Sequence, residues 1–145
     1  MLFKSFVKFA ALVLALTMAT GSAVTAIAAD NKSHKIVFHV TENDPAKWNQ
    51  ILNNAKNVQQ AVGKDKVAIE VVANGPGLNM LKFDSEVAVR MTDAQKEGVV
   101  FNACGTTMKA LKVSEKDLHN GVKVVPAGIV DIMKKQEAGW TYVKP

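Results

Sequence analysis

The chain has 145 residues, 48% hydrophobic and 21% charged, which suits one domain. Its one cysteine excludes an intramolecular disulfide framework and a cysteine-rich zinc module. Nine glycines and four prolines exclude collagen-like and low-complexity chains, and the formal charge of +5 is unevenly placed.

Residues 1–29 hold Lys4 and Lys8 and no acidic side chain. An apolar run from Phe9 to Met18 fades into small residues that end in Ala26-Ile27-Ala28-Ala29. A basic start, a short apolar centre and an Ala-x-Ala end describe a secretory signal peptide, with cleavage after Ala28 or Ala29. The rival is an uncleaved anchor, because residues 9–29 are 21 uncharged positions. Their second half is Ala, Thr, Ser and Gly, a poor span and a good peptidase substrate. Cleavage is therefore the reading taken. It leaves residues 30–145 as one domain with no stable membrane anchor, in a bacterial periplasm. That domain has 116 residues, with 16 basic and 13 acidic side chains for a net +3. The charges are mild and interspersed, which excludes nucleic acid as a partner.

Within it, Lys35–Thr41 is a β-branched and aromatic run that predicts a strand. Asp44-Pro45 opens a helix, since Asp can accept an orphan N–H and Pro is tolerated at the first helical position. Trp48, Ile51, Leu52, Ala55, Val58 and Val62 recur at spacings of three and four, an apolar helical stripe that Gly63 ends. Val67–Ala73 predicts a second strand, and Asn74-Gly75-Pro76-Gly77 a tight turn. A short helical stretch over Leu78–Leu81 and a helix over Ser85–Glu97 follow. Val99–Ala103 predicts the third strand and Thr106–Leu111 a short helix. Ser114 and Asp117 form a near capping box. Val122–Val125, Ile129–Gln136 and Trp140–Val143 predict strand, helix and strand. Regular alternation of this kind predicts an α/β fold, a three-layer α/β/α sandwich with a mainly parallel five-stranded sheet. The strand order stays open.

In such sheets ligands bind outside the carboxyl ends of the strands. The loops placed there supply the candidate binding rim: Thr41, Glu42, Asn43, Asn74, Gly75, Gly105, Thr106, Pro126 and Gly128. Cys104 stands among them at a strand-to-helix turn, where helix N–H groups and Lys109 favour a thiolate. The alternative for Cys104 is a packed small hydrophobe. His39, inside the first strand, reads as a satisfied core histidine. No histidine pair or cysteine cluster has metal-ligand spacing, so no metal site is expected. Trp140 and Tyr142 lie on a terminal strand and either cover the sheet edge or meet another subunit.

The chain resembles the exported single-domain branch of the DsrE/DsrF-like family of sulfur-relay proteins, of the YchN-like fold. The resemblance rests on KIVFHVTENDPAKWNQILNNAKNV, VAIEVVANGPGLNML, VVFNACGTTMKAL and VVPAGIVDIMKKQEAGWTYVKP, in that order over residues 35–145. It implies an α/β/α sandwich assembled into a homo-oligomer, a trimer or hexamer, and sulfur passed between thiols without an organic cofactor. It also implies a persulfide on Cys104, in FNACGTT. The leading reading is then a periplasmic sulfur carrier, more a carrier than a complete sulfurtransferase-like enzyme, with its sulfur donor and acceptor open. The alternative is a non-catalytic oligomeric module that binds a small ligand or a protein while Cys104 is merely packed. Flavin binding is a weaker third reading, suggested by sheet architecture alone.

Overall fold

A computed structural model of the protein describes residues 32–145, and the expected signal peptide lies outside the described residues. The β-branched run His34–Val40 forms strand β1, and Pro45–Val62 forms helix α1. Asp44 caps that helix: its Oδ1 accepts the N–H of Ala46 at 2.9 Å and of Lys47 at 3.4 Å. Trp48 Nε1 donates to the Glu42 carbonyl at 2.9 Å, which fixes the entry of the chain. The helix ends at Gly63, whose φ of +93° favours glycine. An Asp44→Ala variant is expected to lose about 1 kcal/mol of stability, the usual worth of an N-cap. Urea denaturation reads this loss, and an unchanged midpoint would contradict the assignment.

Val67–Ala73 forms β2. The expected turn and short helix after it are one continuous 3₁₀ helix over Gly75–Leu81. Helix α2 spans Ala88–Lys96 and so starts three residues later than the apolar pattern predicts. Ser85 explains the difference. Its Oγ accepts the Val87 N–H and its carbonyl accepts the Ala88 N–H, so a turn takes bonds that a helix would need. Then come β3 (Val100–Cys104), α3 (Gly105–Leu111), β4 (Lys123–Val125), α4 (Gly128–Glu137) and β5 (Thr141–Val143). Ser114 and Asp117 complete the capping box on the short 3₁₀ turn Glu115–Asp117.

The five strands are all parallel, in the order β4-β3-β2-β1-β5. The chain therefore steps one way from β1 to β4 and then returns across the sheet to β5. Right-handed crossovers put the helices of opposite steps on opposite faces. α1, α2 and α3 accordingly share one face. There Trp48, Ile51, Leu52, Met91 and Met108 pack with Phe38, Ile69, Val71 and Phe101 in the main core. α4 alone covers the other face, where the smaller cluster is Val37, Val72 and Ile132 with Trp140 packed against it. The sandwich has three layers, and they are unequal.

Candidate functional site at the β3/β4 switch point

β3 feeds α3 on one face and its neighbour β4 feeds α4 on the other. At the carboxyl ends of these two strands the connections part to opposite faces, the usual ligand position in open α/β sheets. Cys104, the last residue of β3, lies at this point, and Gly128, the first residue of α4, packs against it.

The geometry around Cys104 is tight. Its side chain is buried, with 2% of its surface exposed. The Sγ atom is 2.9 Å from Thr106 Oγ1 and accepts the Gly128 N–H at 3.2 Å. Both flanking glycines fit closely here. A Cβ on Gly128 would sit 3.2 Å from Cys104 Cβ and from Val72 Cγ1. A Cβ on Gly105 would sit 3.1 Å from the Val125 carbonyl oxygen and 3.2 Å from that of Pro126. Pro126 thus enters the site through its backbone.

Burial pushes the Cys104 thiol up. Hydrogen bonds from the Thr106 hydroxyl and the Gly128 N–H, with smaller contributions from the Thr107 hydroxyl and N–H, outweigh it. They hold the thiol at about 7, below its ordinary 9.0. Lys109 is exposed, and hydrogen bonds rather than its charge account for the lowering. A group at this value is about half thiolate at neutral pH, a nucleophile without a neighbouring general base.

The rest of the rim divides in two. Asn74 follows Ala73, the partner of Ala103, so Asn74 and Cys104 stand beside each other at the ends of β2 and β3. The Gly75 N–H donates to Thr107 Oγ1 at 3.0 Å, which ties the β2 loop to α3. His39 is 7% exposed, with Nε2 2.9 Å from Asn74 Oδ1 and Nδ1 2.9 Å from the Tyr142 hydroxyl. It is a satisfied histidine, and burial holds its imidazole below the ordinary 6.5 against the opposing Asn74 hydrogen bond. Its place also extends the polar line from Cys104 through Asn74 to β5. Sequence reasoning left His39 and Tyr142 outside the rim because the β1–β5 pairing was not visible.

Thr41, Glu42 and Asn43 belong to a second cluster at the end of β1. The Thr41 carbonyl accepts the Gly77 N–H, and Asn43 is exposed. Glu42 pairs with Lys47 at 3.3 Å and Lys144 at 3.4 Å. The Thr41 hydroxyl first, then both lysines, hold the Glu42 carboxyl at about 2. These contacts stabilise the loop and do not reach the thiol. Among the described residues, no three His, Cys, Asp or Glu side chains are grouped to hold a metal ion.

Comparison with known proteins agrees with this architecture. Residues 34–145 match the profile of the DsrE/DsrF-like family. The chain belongs to that family. DsrE/DsrF-like proteins are a sulfur-relay family, and this member is similar in structure to three solved proteins. A protein of unknown function from Methanobacterium thermoautotrophicum is 35% identical, with a TM-score of 0.74 over 77% of this chain and 99% of that one. The ychN protein from E. coli is 11% identical, with a TM-score of 0.64 over 77% of this chain and 99% of its own. A conserved protein of unknown function from Bacteroides thetaiotaomicron is 15% identical, with a TM-score of 0.59 over 77% and 94%. The last two likenesses show the DsrE-like fold alone. No curated protein matches the chain.

Proposed function

We propose that this protein carries sulfur as a persulfide on Cys104. The observation that carries the reading is the hydrogen-bonded thiol at the switch point, held at about 7 although buried. The Cys104 thiolate attacks the outer sulfur of a sulfane donor. A Cys104–S bond forms, the donor S–S bond breaks, and the remainder of the donor leaves as a thiolate or sulfite. An acceptor thiolate then takes the outer sulfur, and Cys104 leaves as thiolate. No second cysteine exists to resolve the persulfide within the chain, so delivery is intermolecular, as in a carrier. The purified protein, treated with polysulfide or with thiosulfate and a sulfurtransferase, is expected to gain one sulfur in intact mass. Cys104→Ala is expected to gain none. A wild-type mass that stays unchanged overturns the reading.

The 2% exposure of Cys104 favours a second reading, a binding module with a packed cysteine. Under it Cys104 resists alkylation in the folded protein, and Cys104→Ala retains the protein's ligand binding. Sulfur transfer requires instead that the first turn of α4 yield to the donor.

The setting is also part of the proposal. The export pattern of residues 1–29 supports a periplasmic carrier released by cleavage after Ala28 or Ala29. Self-association into a trimer or hexamer is supported by Ile129, Val130 and Met133, which α4 leaves exposed at 57%, 43% and 49%. Light scattering on the purified protein is expected to give a multiple of the single-chain mass. Met133→Glu is expected to lower that multiple, and a monomeric wild type overturns this part.

A further inference from the structure

α4 has little apolar anchorage. Gly128, Asp131, Ile132 and Lys135 recur at helical spacing on the face toward the sheet, and Ile132 is the one large apolar side chain that this helix buries. Its second anchor is ionic. Lys135 Nζ is 3.0 Å from Glu70 Oε2 on β2 and 3.4 Å from Asp131 Oδ2 one turn earlier. It also lies 5.1 Å from the centre of the Trp140 ring. Asn102 of β3 donates to the same Glu70 carboxylate. The three charged side chains are only 16%, 19% and 21% exposed, and Lys135 donates to Asp131 through Oδ1 at 3.4 Å while Asp131 Oδ2 is buried beside the same ammonium. A carboxylate inside a central, otherwise apolar strand requires such a partner.

We propose that the Glu70–Lys135–Asp131 cluster is the device that positions the Gly128 N–H on Cys104. Lys135 lies two turns from Gly128 on the same helix face, so clamping it to β2 fixes both the height and the rotation of α4. The close fit of Gly128 against Cys104 and Val72 leaves this hydrogen bond little tolerance for a shifted helix. Lys135 and Glu70 act through Gly128 and are positioning residues. Their role in sulfur transfer rests on the reading of Cys104 as the carrier.

The test is a thiolate titration by ultraviolet absorbance, with the Cys104→Ala signal subtracted. It needs no sulfur donor, so it stands even where persulfide formation fails. Lys135→Met is expected to raise the thiolate midpoint by about one pH unit, leaving roughly fivefold less thiolate at neutral pH. Lys135→Arg keeps the clamp and is expected to stay near wild type. Glu70→Leu separates positioning from simple charge. Removing a negative charge would lower the midpoint through space, whereas loss of the clamp raises it. The other ionisable side chains on this sheet face, Lys35, His39, Lys123 and Tyr142, are left in place in every variant. A rise in both Lys135→Met and Glu70→Leu supports the proposal. An unchanged midpoint in either folded variant, or a fall in Glu70→Leu, overturns it.

Discussion

Gly77→Ala is expected to destabilise the protein by about 3 kcal/mol or more, the upper end of overpacking costs. A Cβ at Gly77 would lie 2.5 Å from the Val40 carbonyl oxygen, 2.7 Å from the Val40 carbonyl carbon and 2.9 Å from the Thr41 nitrogen. All three are backbone atoms of β1 and the loop that leaves it, so no side chain can swing aside. The Gly77 N–H also donates to the Thr41 carbonyl at 3.1 Å, which draws the β1 and β2 loops together. The clash therefore pries apart the carboxyl ends of the two central strands. A domain of this kind is stable by only about 5–15 kcal/mol, so the loss is a large share of the total. Gly98→Ala is the internal comparison. Gly98 has a φ of +88° but nothing within 4 Å of a Cβ, so only backbone strain of about 1 kcal/mol is expected. Urea denaturation of both variants should show the larger loss at Gly77. Equal losses would mean that the close approach to β1 carries no cost.

The second large effect is a pH dependence of stability that belongs to Cys104. Its folded value of about 7 lies below the ordinary 9.0, so the unfolded chain holds the thiol proton more tightly. The resulting stabilisation is fully present above pH 9.0 and declines as the pH falls toward 7. Below the folded value it is gone. A difference of this size corresponds to on the order of 2–3 kcal/mol. Stability measured at ~pH 6 and ~pH 9.5 should therefore show wild type gaining on Cys104→Ala by about that amount. The variant leaves a small cavity whose cost is the same at both pH values, and the subtraction removes it. A flat difference across this range would show that the thiol is not held as thiolate by the fold. Thr106→Val, which removes one of the hydrogen bonds to Sγ, should shrink the same difference without abolishing it.

Much of this architecture was legible in the sequence because the signals are local. Asp44-Pro45 and Gly63 bound α1 through capping and backbone chemistry that act within a few residues. The runs Val67–Ala73 and Val99–Ala103 are nearly continuous in apolar residues, the mark of strands covered on both sides. Ser85 misled the helix boundary because its side chain competes with the helix for the same N–H groups. One signal went unused. Glu70 interrupts VAIEVVA, and a charge in a central strand must find a partner from outside the strand. Nothing within the segment says that the partner is Lys135, which lies 65 positions away in sequence.

Local patterning along the chain carries the alternation of strands and helices and the place of Cys104 at a strand-to-helix turn. The strand order β4-β3-β2-β1-β5 is settled only by contacts between segments distant in the chain. It sets the reversal between β3 and β4, sends α4 to the opposite face and brings the Gly128 N–H to Cys104. The cysteine could be read from the chain, but its hydrogen bonds could not, because the Gly128 donor arrives from 24 residues later by way of the last crossover.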